Sequence, residues 1–198
     1  MNYEIEFKSL DSYIKKRYAK IVYPDMKKKK YPVVIATHYE VDFSDHAIKK
    51  LLDNGIAVAT PSQMQIEDIR NIFADNLEFH LEYIKMIYNL EDIDKERIAF
   101  RGGSAGGFMT LYMAKLLPWV RCVYCMSGVS NFYYQAKYLE NPNNCELEGV
   151  KAVNSNFKET IDYLKNQEAY DKYSMILHLE SVNTHILLLH STADSMVP

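Results

Sequence analysis

Residues 101–108 have the sequence RGGSAGGF, in which one serine is flanked by four glycines. The part from Gly102 to Gly106 matches the pattern G-x-S-x-G, where the serine sits on a sharp turn between a strand and a helix. Such a turn is crowded, and Gly102 and Gly106 suit it because they lack a Cβ atom. The strained backbone points the serine hydroxyl away from the sheet. The segment therefore predicts that Ser104 is a nucleophile that attacks a carbonyl carbon.

A glycine-rich segment can also bind phosphate, and this is the main alternative for residues 101–108. Phosphate-binding loops follow the patterns G-x-x-x-x-G-K-[ST] or G-x-G-x-x-G, and the segment fits neither of them. An apolar stretch precedes Ser104 and a helix-like stretch follows it. That context favours the nucleophile turn, because a helix that starts there directs its N-terminal N–H groups at an oxyanion forming nearby.

The strands that must position this turn recur along the chain. Residues 3–9 and 18–24 predict two strands that enter the sheet antiparallel. Five further segments are short and largely apolar, as in strands that are buried on both faces. They are YPVVIATH at 31–38, IAVAT at 56–60, RIAFRGG at 97–103, RCVYCMSG at 121–128 and THILLLHS at 184–191.

Helical segments lie between these strands. Residues 45–54 carry an apolar stripe, with Ser44 as the expected N-cap and Gly55 as the C-terminal stop. Apolar residues recur at helical spacing through 66–90. Residues 105–117 predict the helix that leaves Ser104.

This alternation predicts an α/β fold, with a mostly parallel sheet covered by helices on both faces. We expect a single domain over residues 1–198. The long stretch 131–183 separates the last two strands and predicts a partly helical, lid-like excursion over the strand ends.

The segment DIDKERIAFRGGSAGGFMTLYMA resembles the nucleophile segment of the prolyl oligopeptidase-like α/β-hydrolases, the acyl-peptide hydrolase branch especially. The similarity extends over most of the chain. YPVVIATH resembles the family's oxyanion-loop strand, and HILLLHSTADSMVP resembles the strand and turn that carry the catalytic acid. The resemblance implies an α/β-hydrolase fold and a serine hydrolase that works through an acyl-enzyme.

The oxyanion of a tetrahedral intermediate needs two hydrogen-bond donors. The N–H of Ala105, the residue after the nucleophile, is expected to be one of them. The second is expected from the loop after the first parallel strand, where this chain has His38, Tyr39 and Glu40 in place of the family's His-Gly-Gly. A tyrosine there resembles the cocaine esterase and X-prolyl dipeptidyl peptidase relatives, whose tyrosine hydroxyl can serve as the donor. We expect Tyr39 to donate through its backbone or its side chain, with a packing role as the alternative.

Asp194 is the candidate acid. It follows the last predicted strand in a short turn, a position from which a carboxylate can orient a triad histidine. The order of serine before aspartate in the chain fits α/β-hydrolases. Ser130 and Asn131, after the preceding strand, offer no carboxylate. The alternative for Asp194 is a purely turn-forming role.

The base is the component that the sequence does not supply. A serine hydroxyl is a weak nucleophile unless a neighbouring base takes its proton. In this fold the triad histidine follows the acid, and none of the six histidines follows Asp194. His190 and His80 are expected to have structural roles, and His46 is a weak candidate. We therefore expect these 198 residues to be part of a longer hydrolase, the alternative being a short chain without a complete triad.

Composition limits the choice of partners. With a net charge of −3 and 25% charged residues, the chain has no electrostatic case for nucleic acid or an acidic membrane surface. Its apolar runs are too short to span a bilayer. Cys122 and Cys125 are expected to be buried thiols on opposite faces of a strand, which fits a reducing cytoplasm. We expect no cofactor and no metal ion, and we expect Lys27–Lys30 to be a solvated loop.

Together these features predict a serine hydrolase that cleaves a small-molecule ester or a peptide amide. Ser104 would attack, Ala105 and Tyr39 would bind the oxyanion, and Asp194 would orient a histidine. Without that histidine, little or no turnover is expected from the 198-residue chain. The alternative function is a non-catalytic binding or scaffold protein with the same fold.

Overall fold

The computed structural model describes residues 2–8, 16–63, 70, 72–73, 75–144, 147–148, 150–151, 164 and 166–198. Within these ranges, seven strands form one sheet. The strands are β1 (Asn2–Lys8), β2 (Lys16–Val22), β3 (Tyr31–Ala36), β4 (Ala57–Ser62), β5 (Ile93–Gly103), β6 (Cys122–Met126) and β7 (His185–Leu189). Each of them coincides with a predicted strand, and β5 begins four residues earlier than the sequence pattern suggests.

The strand order in the sheet is β1-β2-β4-β3-β5-β6-β7. β2 pairs antiparallel with both β1 and β4. From β4 through β3, β5 and β6 to β7, all neighbours are parallel. The predicted α/β class, with a mostly parallel sheet, is therefore confirmed. Because the parallel strands run the same way, their carboxyl ends meet at one edge of the sheet, where ligands bind in this class of fold.

The helices in the described ranges include five α-helices of seven or more residues. They are α1 (His46–Asp53), α2 (Asp75–Asn89), α3 (Ala105–Leu116), α4 (Phe132–Glu140) and α5 (Gln167–Tyr173). α4 and α5 belong to the excursion predicted for 131–183. α5 lies in its second half, where Leu164 is not helical and residues 152–163 and 165 lie outside the described ranges.

The ends of α1 correct one sequence prediction. Its N-cap is Asp45, whose Oδ1 accepts the N–H groups of Ala47 and Ile48 at 2.7 and 3.4 Å, so the assignment of Ser44 was wrong. Ser44 instead donates its own N–H to the side chain of Asp42, which fixes it in the preceding turn. The helix ends at Asp53, and the expected stop residue Gly55 follows the C-cap Asn54 with a φ of +74°, where glycine is favoured.

The single helix predicted for 66–90 was also wrong, because Arg70 is helical but the helix is interrupted at 72–73. α2 starts at Asp75, and Ile72 and Phe73 are buried but not helical. Residues 66–69 lie outside the described ranges. Apolar residues at 72 and 73 fit a helical pattern by spacing alone, and tertiary packing gives them a different backbone.

Phe73 belongs to an aromatic cluster that joins the excursion to the rest of the fold. Its ring centroid lies 4.4 Å from that of Tyr173, 5.4 Å from that of Phe132 and 5.8 Å from that of Phe108. Phe108 is on α3, Phe132 on α4 and Tyr173 on α5. The burial of these rings together stabilises the packing of α4 and α5 against α3, the helix that follows Ser104.

The two cysteines of β6 lie on opposite sides, as expected from strand geometry. Cys125 is buried, but Cys122 is exposed, so the prediction of two buried thiols was wrong for Cys122. Cys122 lines an open apolar cavity of about 630 Å³ on that face of the sheet. On the neighbouring strand β7, at the edge of the sheet, Leu187, Leu188 and Leu189 are 54–63% exposed. None of the helices in the described ranges is long and apolar enough to cross a membrane.

Gly107 provides a test of how closely α3 packs on the sheet. A Cβ atom added there would lie 2.7 Å from the Cα atom of Gly128, so Gly107→Ala forces two backbone segments apart. We expect it to lower the free energy of unfolding by about 1–3 kcal/mol, despite the higher helix propensity of alanine. The measurement is urea unfolding followed by circular dichroism.

Gly103→Ala is the matched control. Its Cβ would lie 3.2 Å from the flexible end of the Met126 side chain, which can move, and at an ordinary contact distance of 3.6 Å from the Met126 carbonyl oxygen. If Gly107→Ala were no more destabilising than Gly103→Ala, the close approach of α3 to the loop after β6 would be incorrect.

Candidate active site

Ser104 is the single residue between the end of β5 and the start of α3. Its backbone has φ 52° and ψ −122°, a combination that residues other than glycine rarely adopt. The Ser104 N–H donates to the carbonyl of Met126 on β6 at 2.9 Å, and the Ser104 carbonyl accepts the N–H of Phe108 at 3.2 Å. Both backbone groups are thus satisfied, while the residue itself is exposed. The strained turn presents the hydroxyl at the carboxyl edge of the sheet.

Gly102 and Gly106 flank the turn where no side chain would fit. A Cβ atom at Gly102 would lie 2.3 Å from the carbonyl oxygen of Gly106. A Cβ atom at Gly106 would lie 2.5 Å from the carbonyl oxygen of Thr37. Both contacts are with backbone atoms, which cannot move aside as a side chain can. The glycines therefore allow β5, α3 and the end of β3 to meet at van der Waals distance.

Thr37 is a residue that sequence reasoning missed. Its Oγ1 donates to the Gly106 carbonyl at 2.7 Å, and its N–H donates to the Arg101 carbonyl at 3.0 Å. Thr37 is 2% exposed. It therefore bridges the end of β3 to both sides of the Ser104 turn. No sequence signal marked it, because a threonine at the end of a strand is ordinary and its partners are more than 60 residues away.

The loop after β3 brings Tyr39 toward Ser104. His38 has a left-handed backbone with φ 68°, and the rings of His38 and Tyr39 lie edge to face with centroids 4.3 Å apart. The Tyr39 N–H donates to the Thr37 carbonyl at 2.9 Å, so this backbone donor is already used within the turn. The backbone N–H and the side-chain hydroxyl were the two donors expected from Tyr39. Since the N–H is bonded to Thr37, the hydroxyl is the one that can donate to an oxyanion.

The Tyr39 hydroxyl is protonated at neutral pH. Burial raises the pKa of the Tyr39 phenol, and an interaction with the Ser104 side chain lowers it only in part, so the net pKa lies above the usual 10.0. At neutral pH the hydroxyl carries its proton and can donate a hydrogen bond next to Ser104. Ala105, the first residue of α3, has a backbone N–H of the kind that finds no partner inside its own helix. The Ala105 N–H, next to Ser104 in the chain, and the Tyr39 hydroxyl are therefore the two candidate donors.

Asp194 lies in the turn after β7. Its Oδ1 accepts the N–H groups of Met196 and Val197, both at 2.9 Å, and its side chain also interacts with Ser127. His190 Nε2 is 3.7 Å from Oδ2. Burial raises the pKa of Asp194, but the hydrogen bonds from Val197, Met196 and Ser127, with the nearby His190, outweigh it and leave the pKa below 3.8. The carboxylate is therefore ionised at neutral pH.

These residues line one cavity of about 480 Å³ at the carboxyl edge of the sheet. Tyr39, Ser104, Ser127 and Asp194 all contribute to its wall. β3, β5, β6 and β7 each end at this cavity, so four separate parts of the sequence meet there. The predicted nucleophile, acid and tyrosine donor are thus brought together, with Ser127 as a supporting residue that sequence reasoning missed.

None of the six histidines, all of which lie in the described ranges, lines this cavity. His38 and His80 are wholly buried, and His46 is exposed on α1. His178 Nε2 bonds the carbonyl of Asp171 at 2.7 Å. His190 is the one nearest Asp194, but its Nε2 is 2.6 Å from the Val197 carbonyl, an atom that can only accept. The ring nitrogen that faces the acid is therefore a donor within the turn.

In the described ranges, no group of three or more His, Cys, Asp or Glu side chains is placed to hold a metal ion. The polar groups that line the cavity are hydroxyls, backbone N–H groups, the Arg101 side chain and the carboxylates of Glu40, Asp42, Asp45 and Asp194.

The lowered pKa of Asp194 predicts a pH dependence of stability. A carboxyl group with a depressed pKa in the folded state contributes stability above its unfolded pKa, and that contribution is lost as the pH falls through the folded value. We expect the difference in unfolding free energy between the wild type and Asp194→Asn to be constant near neutral pH and to shrink as the pH falls below about 4. Chemical denaturation at a series of pH values measures it. Parallel curves for the two proteins would contradict the assignment of an ionised, hydrogen-bonded Asp194.

Comparison with solved structures gives strong matches across the whole chain. An acylaminoacyl peptidase in complex with Z-Gly-Gly-Phe-chloromethyl ketone superposes with a TM-score of 0.75 at 20% identity, covering 100% of this chain and 33% of that one. The acylaminoacyl peptidase of Pyrococcus horikoshii gives 0.74 at 20% identity, with the same coverage of 100% and 33%. Acetyl xylan esterase 1 from Thermoanaerobacterium sp. JW/SL YS485 gives 0.62 at 17% identity, covering 100% and 70%. At these identities the likeness concerns the fold.

This chain therefore spans about a third of the length of the two peptidases. A search of curated proteins finds no significant match. The sequence model of the prolyl oligopeptidase family matches residues 71–198, which include the Ser104 turn and the Asp194 turn. The match covers more than half of the chain, so the resemblance seen in the sequence is confirmed: the chain belongs to the prolyl oligopeptidase family of α/β-hydrolases.

Proposed function

We propose that this chain carries the nucleophile, the oxyanion donors and the acid of a serine hydrolase that cleaves esters or peptide amides. One observation carries the proposal: a single cavity is lined by Ser104, Tyr39 and Asp194, which come from three distant parts of the sequence. Membership of a family of hydrolases supports the reaction class. The strained backbone of Ser104 supports its role, because strain of this kind is retained where function requires it.

The proposed reaction proceeds through an acyl-enzyme. The Oγ of Ser104 attacks the substrate carbonyl carbon while a base takes the hydroxyl proton. The negative charge that develops on the carbonyl oxygen accepts hydrogen bonds from the Ala105 N–H and the Tyr39 hydroxyl. Collapse of the intermediate breaks the ester or amide bond, and the leaving alcohol or amine takes the proton from the base. Water then attacks the acyl-enzyme while the base takes a proton from the water. The base returns that proton to Ser104 as the carboxylic acid leaves.

Asp194 would orient a histidine that acts as the base. Because none of the six histidines lines the cavity, we propose that the base is supplied from outside these 198 residues. The lowered pKa of Asp194 suits this role, since an ionised carboxylate stabilises the imidazolium formed during attack.

The substrate class is proposed as esters of small acyl groups, with peptide amides as the second choice. The cavity of about 480 Å³ is large enough for a small substrate. Tyr133 and Tyr134, which could have formed an aromatic pocket, are 45% and 56% exposed and are not among the residues that line it. The structural neighbours include both peptidases and an esterase.

The absence of a histidine from the cavity wall also favours a second candidate, a non-catalytic binding protein with a hydrolase fold. Such a protein has no need of an activated serine. The two functions differ in one property, the reactivity of Ser104 in the full-length gene product.

A fluorophosphonate probe tests that reactivity. We expect the full-length gene product to be labelled at Ser104, because the probe reacts with a serine whose proton is removed by a base. Ser104→Ala should abolish labelling, whereas Ser130→Ala, which changes an exposed serine outside the cavity, should leave it intact. In-gel fluorescence of the purified proteins is the measurement. A folded wild type that stays unlabelled would support the binding protein instead.

The 198-residue chain gives a second test. We expect it to hydrolyse p-nitrophenyl acetate no faster than Ser104→Ala does, because no histidine lines its cavity to take the proton of the serine. Absorbance of released p-nitrophenol measures the rate. Ser104-dependent turnover of the isolated chain would show that a base is present after all.

A further inference from the structure

α2 holds the end of β3 through two buried hydrogen bonds. The hydroxyl of Tyr83 donates to the Ala36 carbonyl at 2.8 Å. The N–H of His38 donates to Nε2 of His80 at 2.8 Å. Tyr83 is 1% exposed, and His38 and His80 are 0% exposed, so neither bond competes with water. The sequence predicted a helix-surface or packing role for His80, and the structure shows it bonded to the loop that carries Tyr39.

The partners of His80 fix the protonation of its ring. Nδ1 lies 2.8 Å from the carbonyl oxygen of Asn76, which can only accept, so Nδ1 carries a proton. Nε2 receives the N–H of His38 and must therefore present a lone pair. A charged imidazolium has no lone pair, and the other tautomer would set two donors against each other at His38. The contact exists with one form of the ring, the neutral Nδ1–H tautomer.

This hydrogen bond lies one residue from Tyr39. It holds the N–H of His38 at the point where the backbone takes a left-handed conformation, with φ 68°. The next N–H, that of Tyr39, is fixed on Thr37 at 2.9 Å, and the Tyr39 ring packs edge to face on the His38 ring. The direction of the Tyr39 side chain therefore depends on the orientation of His38, and that orientation depends on His80.

We propose that His80 is a positioning residue for the oxyanion site: its neutral ring orients His38 so that the Tyr39 hydroxyl stays beside Ser104. This rests on the proposed function, in which Tyr39 donates to the oxyanion. His80 itself touches no reacting atom and transfers no proton. It acts through the backbone, from a helix that lies beneath the loop.

The role is tested with His80→Leu, His80→Gln and Tyr39→Phe in the full-length gene product. Leucine removes the acceptor for the His38 N–H, whereas glutamine offers a carbonyl oxygen near the position of Nε2. We expect His80→Leu to lower the rate of Ser104 acylation about 10- to 100-fold, mainly through kcat, and His80→Gln to recover most of it. In a Tyr39→Phe background, His80→Leu should lower the rate no further.

Tyr83→Phe controls for loss of stability. It removes the neighbouring bond from α2 to the end of β3 without touching His38. We expect a lower free energy of unfolding with a smaller fall in acylation than His80→Leu causes. The positioning role would be overturned if His80→Leu slowed acylation equally with Tyr39 and with Tyr39→Phe. It would also be overturned if His80→Gln acylated as slowly as His80→Leu. His80 would then be a structural residue.

The tautomer is measured independently of activity, by the ¹⁵N shifts of the His80 ring in the 198-residue chain at neutral pH. A protonated Nδ1 with an unprotonated Nε2 supports the contact, and any other state refutes it. If Ser104 is labelled but Tyr39→Phe acylates as fast as the wild type, the oxyanion role of Tyr39 fails and this inference with it. If Ser104 is never labelled, the proposed function fails, and His80 then has no reaction to position even where the NMR contact is present.

Discussion

The contact between Gly106 and the carbonyl of Thr37 is the constraint on which the site depends. A side chain at Gly106, the second residue of α3, would come within 2.5 Å of that carbonyl, so only glycine fits at this position. The same approach lets the Thr37 hydroxyl bond the Gly106 carbonyl and ties β3 to the turn. Ser104 takes its left-handed conformation as a consequence, because β5 must pass into α3 within one residue. The loop with Tyr39 follows directly from the same end of β3.

Opposite electrostatic environments then prepare two groups of the cavity. Burial keeps the pKa of Tyr39 high, so its hydroxyl remains a donor. Backbone N–H groups and Ser127 keep the pKa of Asp194 low, so its carboxylate remains charged. The Asp194 carboxylate is stabilised by hydrogen bonds that are already in place before a reaction begins. A base that lies between Asp194 and Ser104 would therefore be next to an ionised carboxylate, with the Tyr39 hydroxyl protonated.

The parallel sheet explains why residues so far apart in sequence act together. β3, β5, β6 and β7 run in one direction, so the residues that follow them collect at one edge. Tyr39, Ser104, Ser127 and Asp194 are each placed by the end of a different strand. α2 supports this edge from the side through Tyr83 and His80, and therefore contributes to the site without reaching it.

The sequence by itself determined the strands, the α/β class, the family and the residues Ser104 and Asp194 as candidates. These follow from local signals: apolar periodicity, glycine spacing around a serine, and a carboxylate in a turn after a strand. The tertiary structure decided that Asp45 rather than Ser44 caps α1, and that Phe73 leaves the helical pattern for an aromatic cluster. It also decided which donor of Tyr39 is available and that His80 bonds the loop. Those outcomes depend on contacts between residues up to 100 positions apart, which single-sequence patterns do not encode.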